Sequence, residues 1–508
     1  MPRHESLWSA TAALPECGPL DANVHVDVCV IGGGIAGLST AYQLCKAGRS
    51  VVVLDDGPLA SGMTRMTSGH LVNMLDDRYF ELERLHGAEA IRVAADSHTA
   101  AIERIDEIVR TEAIDCDFSR LDGYLFLAEG DKPSTLEREL DAAHRAGLKD
   151  VERVERAPYE WNTGPALRFP RQAQFHPLKY LSGLAHAILR AGGRIFCHSH
   201  ADELEGGVPG LVHVGRHIVT ADALVVATNV PVNNRVAILT KQAPYMTYVI
   251  GARVPAGSVP KALAWDTGDP YHYIRLHAMV EDEVLIVGGE DHKSGQAHDS
   301  PQRYRKLEAW ARERFPMMGA VDYRWGGQVM EPADYVAFIG RNPMDDDNVF
   351  VATGDSGMGL THGTIAGMLL CDLIVGRKNP WEKLYSPSRV PIRAVAELAR
   401  EDLNMAAQYS DWLTGGDVDS VEEIAPDSGA IVRRGLEKIA VYRDAGGALH
   451  ECIAACPHLG CIVQWNPGEK TWDCPCHGSR FHAEGRVING PANRDLASAK
   501  HPEHKRAA

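Results

Sequence analysis

The chain has 508 residues, of which 45% are hydrophobic and 24% are charged, and its formal net charge at pH 7 is −16. The length exceeds that of one ordinary domain, and the negative charge argues against nucleic acid or an anionic membrane as a partner. No apolar run is long enough to cross a bilayer, and no basic segment followed by an apolar run stands at the start, so the sequence predicts a cytoplasmic protein.

The first predicted unit is a strand, a glycine-rich turn, a helix and a second strand. Val26–Ile31 is rich in β-branched residues, and the segment that ends at Ala47 has the period of a helix. A G-x-G-x-x-G turn separates them, and a second predicted strand, Ser50–Leu54, ends at an aspartate. Such a unit binds a dinucleotide, because its glycines admit the pyrophosphate to the helix N-terminus and its terminal acid accepts from a ribose hydroxyl. The expected contacts are Gly32, Gly34, Gly37 and Asp55.

The middle of the chain is the expected substrate side. Tyr271–Leu276 predicts a strand, and because side chains alternate along a strand, Tyr271, Tyr273 and Arg275 would share one face. An arginine on that face could bind a substrate carboxylate through two hydrogen bonds. The alternative is a tyrosine ladder on a sheet, with Arg275 paired to a surface acid.

Two further segments complete a nucleotide-binding sheet. Ala221–Asn229 predicts a buried strand that ends in a turn of small residues, and Asn348–Gly376 predicts a strand, a glycine-rich loop and a helix. The N-terminus of that helix would favour negative charge on a neighbouring group. No second G-x-G-x-x-G follows a strand, as an additional NAD(P)H site would require.

A connector over 386–415 contains a predicted helix, Val390–Trp412, that bridges two domains. Short predicted strands with turns between them indicate a small antiparallel β-domain over 416–508.

Two cysteine and histidine boxes lie in this C-terminal domain, CPHLGC and CPCHGS, with 15 residues between His458 and Cys474. This is the pattern of a Rieske 2Fe-2S centre, in which two thiolates hold one iron and two imidazoles hold the other. The expected ligands are Cys456, His458, Cys474 and His477. A zinc site with the same ligands is the alternative, although zinc would not require the second cysteine of each box.

The order of these pieces resembles a known family. Residues 24–380 resemble the FAD-dependent amine and amino-acid oxidoreductases, such as D-amino-acid oxidase, glycine oxidase, sarcosine oxidase and γ-glutamylputrescine oxidase. The whole chain resembles bacterial fusions of such a flavoprotein with a C-terminal Rieske domain. The resemblance implies that FAD is the dinucleotide and that its other contacts are Thr64, Arg65, Gly357, Gly359, Leu360 and Thr361. Some relatives attach FAD through a histidine near His70, which leaves covalent attachment open.

In Rieske proteins of this kind, the positions of Cys461 and Cys476 form a disulfide that ties the two ligand loops together. The segment Gly485–Leu496 would supply the proline-containing loop that covers the cluster.

The implied architecture is an α/β FAD-binding domain of Rossmann type with an inserted α+β substrate domain, followed by an all-β Rieske domain. The oxidoreductase part would be 1–385. Its FAD-binding segments would lie at about 24–80, 175–235 and 335–385, and its substrate segments at about 82–155 and 240–331.

The implied reaction is oxidation of a C–N bond of an amine or amino acid. Electrons would pass from the reduced flavin to the cluster and then to an external acceptor, as in a dehydrogenase. The alternative is an electron-transfer flavo-iron-sulfur protein, or a redox sensor, without an amine substrate. The sequence identifies neither the substrate, the acceptor nor the oligomeric state.

Overall fold

The computed structural model describes residues 4–233, 236–390 and 392–499, so Pro391 of the predicted connector and residues 500–508 of the predicted Rieske region lie outside the described residues. Within these ranges the strands form two large sheets and two small ones. The strands are β1 (Val24–Ile31), β2 (Val51–Leu54), β3 (His70–Leu71), β4 (Ser119–Phe126), β5 (Glu152–Val154), β6 (Ala166–Gln174), β7 (Arg194–Phe196), β8 (Glu203–Glu205), β9 (Gly210–Val214), β10 (His217–Val226), β11 (Gln242–Val254), β12 (Leu263–Asp266), β13 (His272–Ala278), β14 (Glu283–Lys293), β15 (Val321–Pro332), β16 (Phe338–Arg341), β17 (Val349–Thr353), β18 (Ser428–Arg434), β19 (Glu437–Arg443), β20 (Leu449–Ile453), β21 (Gln464–Asn466), β22 (Thr471–Asp473), β23 (Arg480–His482) and β24 (Val487–Asn489).

The helices cover the faces of the large sheets and connect the domains. They are α1 (Leu7–Thr11), α2 (Ile35–Lys46), α3 (Tyr79–His86), α4 (Ala88–Thr111), α5 (Ser134–Arg145), α6 (Pro177–Arg190), α7 (Val236–Leu239), α8 (Ser300–Arg314), α9 (Gly359–Ile374), α10 (Glu382–Tyr385) and α11 (Val395–Gln408). Short 3-10 turns lie at Met63–Met66, Ile392–Ala394, Tyr409–Leu413 and Val421–Glu423.

The first large sheet is built around parallel strands in the order β17-β10-β1-β2-β7, with β16 antiparallel at one edge. Ile31 at the end of β1 pairs with Leu54 of β2 and Val226 of β10, so three carboxyl ends meet at one edge of the sheet. In parallel α/β sheets, ligands bind at this edge. The predicted strand–helix–strand unit is confirmed by β1, α2 and β2.

Helix α9 packs closely on helix α2 because a glycine faces the contact. A Cβ built on Gly367 would lie 2.7 Å from both the backbone carbon and the Cβ of Ser39. This close approach brings the N-terminus of α9 beside the turn that follows β1, at the edge where the parallel strands end.

The second large sheet has the order β15-β11-β14-β13-β12-β4-β6-β3, and β5 pairs with β6. The predicted strand around Tyr273 is confirmed by β13, which lies between β12 and β14. The C-terminal domain contributes two antiparallel sheets, β18-β19-β20 and β21-β22-β23-β24. The predicted fold class, an α/β nucleotide-binding part with an inserted α+β part and an all-β C-terminal domain, is therefore confirmed.

Replacing Gly367 by valine should destabilise the fold by about 1–3 kcal/mol, because the new side chain forces α9 away from α2. The matched control is Gly18→Val, since a Cβ on this exposed glycine meets nothing within 4 Å. Urea unfolding followed by circular dichroism should show a lower midpoint for Gly367→Val and a change within about 0.5 kcal/mol for the control. Equal midpoints for the two variants would contradict the packing argument.

Candidate functional site

A large cavity lies at the carboxyl edge of the first sheet. It is bounded by the β1–α2 turn, the loop before α9, and residues of the second sheet, and the segment around β24 of the C-terminal domain forms a further part of its wall. The predicted FAD contacts that line it are Gly32, Gly34, Asp55, Thr64, Gly357, Gly359, Leu360 and Thr361.

The glycine turn fits a dinucleotide because it leaves no room for side chains. Gly32 has a φ of +107°, and a Cβ on it would lie 2.3 Å from the carbonyl oxygen of Ala227. Gly37 does not line the cavity. A Cβ on Gly37 would lie 1.8 Å from the carbonyl oxygen of Gly32, so this glycine lets α2 pack on the turn instead of contacting the ligand directly.

Asp55 holds the shape of this turn. Its Oδ2 accepts from the backbone N–H of Gly33 at 2.8 Å, and its Oδ1 accepts from the N–H of Gly57 at 3.1 Å. Burial raises the pKa of Asp55 to about 6. The carboxylate lines the cavity, and its role as acceptor of a ribose hydroxyl stays a prediction.

Of the two residues expected beside the flavin, Thr64 and Arg65, only Thr64 lines the cavity. Thr64 lines the cavity, and its Oγ1 accepts from the backbone N–H of Ile35 at 3.1 Å, next to the start of α2. Arg65 does not line the cavity, and burial lowers the pKa of its guanidinium. Because the two residues are neighbours on one 3-10 turn, their side chains leave it in different directions, and the expectation for Arg65 is corrected.

The loop before α9 lies against an unpredicted acid that lines the cavity. Gly357 has a φ of +74°, and a Cβ on it would lie 2.1 Å from Oδ2 of Asp76, which also lines the cavity. Burial raises the pKa of Asp76 to about 6. The adjacent pair Asp76 and Asp77 follows a hydrophobic run, and nothing in that local pattern distinguishes it from a surface turn.

One part of the cavity wall is aromatic. Tyr271 and Tyr273 both line the cavity, together with Trp265. The hydroxyl of Tyr271 donates to Oδ2 of Asp76 at 3.0 Å, and the hydroxyl of Tyr273 lies 3.1 Å from Oγ1 of Thr247. The predicted pairing of the two tyrosines on one face is therefore observed, and their role toward a substrate stays a prediction.

His70 lines the same wall. Its Nδ1 lies 2.8 Å from Oγ of Ser68, and its Nε2 lies 3.2 Å from the carbonyl oxygen of Ile274. Burial lowers the pKa of His70 to about 3. Both ring nitrogens thus have protein partners, and covalent attachment of FAD to His70 stays a hypothesis.

Arg275 does not reach the cavity, and its expected role as a carboxylate clamp is corrected. It is 1% exposed, and its Nη1 donates to the carbonyl oxygens of Ser68, Gly69 and Phe175. Its guanidinium lies 5.0 Å from the ring centroid of Trp8 in the N-terminal helix α1. Burial lowers the pKa of Arg275 to about 9. The residue ties three segments together beneath an aromatic ring, and among the described residues its hydrogen bonds go to backbone carbonyl oxygens instead of a surface acid.

The four predicted cluster ligands form two close pairs in the C-terminal domain. Cys456 and Cys474 are buried, and the rings of His458 and His477 have centroids 4.8 Å apart. The hydrogen bond with the neighbouring Cys474 thiol lowers the pKa of Cys456. Nδ1 of His477 is buried with no hydrogen-bond partner among the described residues, as a nitrogen reserved for a metal would be. The donor set therefore fits a 2Fe-2S cluster of the Rieske type.

A disulfide joins Cys461 to Cys476, as the resemblance implies, with the two Cα atoms 6.5 Å apart. It ties the two ligand loops together. The backbone N–H of Ala492 donates to Oγ of Ser479 at 3.0 Å, which fastens the predicted covering loop to the second ligand loop.

Sequence reasoning missed the position of that covering loop. Residues 487–490, 492 and 493 line the FAD cavity, and so does Gln328 of β15. The loop is recognisable as a Rieske element, but its contact with the other domain depends on tertiary structure. Gln328 has no local signal at all, since it is one glutamine in a long strand.

Cys474→Ser should abolish the cluster and leave FAD in place, because Cys474 lies outside the FAD cavity. The matched control is Cys452→Ser, which changes another buried cysteine of the same domain whose Sγ donates to the carbonyl oxygen of Glu484. Iron analysis should give about two atoms per chain for the control and none for Cys474→Ser. Retention of iron in Cys474→Ser would exclude this cysteine as a ligand.

No described helix combines the length and apolar character that a membrane span requires. Comparison with protein families gives two matches. The DAO family, FAD dependent oxidoreductase, matches residues 27–373, and the Rieske [2Fe-2S] domain matches residues 415–500.

Three relatives extend these matches. YhfW of Bacillus subtilis (strain 168), provisionally named a Rieske 2Fe-2S iron-sulfur protein, is 30% identical over 498 residues, which cover 97% of each chain. Gamma-glutamylputrescine oxidoreductase of Escherichia coli (strain K12) is 28% identical over 426 residues, 80% of this chain and 98% of that one. The crystal structure of glycine oxidase from Geobacillus kaustophilus shares the fold, with a TM-score of 0.62 and 18% identity over 72% of this chain and 100% of that one. The chain therefore belongs to the DAO family of FAD-dependent oxidoreductases and carries a C-terminal Rieske domain with a 2Fe-2S cluster.

Proposed function

We propose that this protein oxidises a C–N bond of an amine or amino acid and passes the electrons through its own Rieske centre to an external acceptor. One observation carries the proposal: a single cavity is lined both by the FAD-binding turn and by the covering loop of the Rieske domain. A flavin in this cavity and a cluster beneath that loop would be neighbours. The activity named for the Escherichia coli relative supports the choice of a C–N bond.

The two cofactors supply complementary chemistry when bound: FAD accepts a hydride as an electron pair, and a 2Fe-2S cluster carries one electron at a time as one ferric iron becomes ferrous. An external acceptor would therefore have to remove the first electron from the cluster before the second could follow.

The chain's own residues set the substrate end of the cavity. Tyr271, Tyr273 and Trp265 form an aromatic wall that would exclude water from a bound substrate, and Asp76 places a carboxyl group beside Tyr271. Among the described residues that line the cavity, none is lysine or arginine. An acidic, aromatic wall without lysine or arginine suits a protonated amine better than a carboxylate.

The test is an anaerobic titration of the purified holoenzyme with a panel of amines, N-substituted amino acids and amino acids. Visible absorbance reports flavin reduction, and low-temperature EPR reports the reduced cluster. We expect at least one amine to bleach the flavin and to produce the EPR signal of a reduced Rieske cluster, with its low average g value.

The Cys474→Ser protein is the control for this titration, since the same amine should bleach its flavin without any cluster signal. NADH and NADPH should leave the flavin oxidised. If only dithionite reduces the cluster and no amine bleaches the flavin, oxidation of a C–N bond is excluded for that panel. Reduction by NADH or NADPH would instead support the electron-transfer alternative.

A further inference from the structure

A buried glutamine connects the FAD cavity to the cluster-binding loop. Gln328 lies on β15, lines the cavity and is 2% exposed. Its Nε2 donates to the carbonyl oxygen of Gly478 at 2.8 Å. Gly478 directly follows the predicted ligand His477, so one side chain spans the distance from the cavity wall to the ligand loop.

The same side chain also holds the covering loop. Nδ2 of Asn489 donates to Oε1 of Gln328, and Asn489 lines the cavity as well. The amide of Gln328 therefore donates a hydrogen bond to the ligand loop of the Rieske domain and accepts one from its covering loop. Because the three residues are buried, water cannot easily replace these bonds, and leaving either partner unpaired carries a desolvation cost.

Close packing leaves the ligand loop little freedom at this point. A Cβ on Gly478 would lie 2.6 Å from Cβ of Pro244 in β11 and 2.7 Å from Nε2 of Gln328. The loop backbone thus rests directly on two strands of the oxidoreductase part. Of the two predicted histidine ligands, His477 is buried, with 3% of its surface exposed, and His458 is partly exposed.

We propose that Gln328 is a positioning residue that fixes the Rieske ligand loop against the FAD cavity, so that electrons enter the cluster on its His477 side. This inference rests on the proposed electron path from flavin to cluster, but it is independent of the substrate. With both cofactors bound, one electron from the reduced flavin would convert one ferric iron of the cluster to the ferrous state. The role of Gln328 would be to keep the two cofactors at a fixed separation.

The test is flash photoreduction of the flavin in the anaerobic holoenzyme by a free deazaflavin, which requires no amine. Absorbance then gives the first-order rate at which the cluster becomes reduced. Gln328→Met keeps the length of the side chain and removes its hydrogen bonds to Gly478, Asn489 and Ser294, and we expect the rate to fall about tenfold. The FAD content and the EPR signal of the dithionite-reduced cluster should stay unchanged.

Gln172→Met is the matched control. Gln172 is a fully buried glutamine of the same sheet, on β6, and its bonds go to Asn73 and Pro170 within the oxidoreductase part. It should transfer electrons at the wild-type rate. A fall of equal size in Gln172→Met would overturn the proposal, since loss of any buried glutamine would then have the same effect.

Asn489→Ala decides the question if Gln328→Met does not retain both cofactors. It removes one of the two links from the Rieske side, and we expect about a threefold slower transfer.

Wild-type rates in the variants that hold both cofactors would overturn the role of Gln328. If the wild-type cluster stays oxidised after the flavin is reduced, the electron path itself fails. If no amine reduces the flavin in the titration but the cluster is reduced rapidly after flash photoreduction, only the proposal of an amine substrate fails.

Discussion

The structure depends on close contact between the second ligand loop of the Rieske domain and strands β11 and β15. This contact is possible because Gly478 has no side chain and a φ of +80°, a conformation that residues with a Cβ rarely adopt. A larger residue would meet Pro244 and push the loop away from the sheet. The shielding of the cluster, the wall of the FAD cavity and the proposed electron path all require the loop to lie where it does.

Several polar contacts farther along the interface support this placement. Oγ of Ser300 donates to Oδ1 of Asn466 at 2.9 Å and accepts from the backbone N–H of Gly468 at 2.9 Å. The hydroxyl of Tyr304 donates to Oε1 of Glu469 at 2.7 Å. Since α8 begins at Ser300, the start of this helix is one anchor for the C-terminal domain. Anchors on both sides of the ligand loop restrict rotation of the domain more than either would alone.

The parts of the site that the sequence predicts are those whose chemistry lies in a short segment. The glycine turn with Asp55 and the two cysteine and histidine boxes each contain most of the residues that define them, so their spacing carries the information. Arg275 shows the limit of such reasoning. The alternation of side chains along a strand places Arg275 on the same face as Tyr271 and Tyr273. It does not reveal which other segment packs on that face. In the structure, Trp8 of the distant α1 packs against Arg275. Asp76 and Gln328 reach the cavity through long-range packing, for which a single sequence has no local pattern.

The shared cavity also bears on how the protein is assembled. A ribosome completes the FAD-binding turn and the loop before α9 long before it reaches residues 487–493, which line the same cavity. Until that last loop has folded, the cavity lacks part of its wall, and a flavin that enters early is held by the oxidoreductase part alone. Closure of this part of the cavity wall is thus completed only when the C-terminal domain has folded, and a chain that stops before that domain would leave the cavity open on this side.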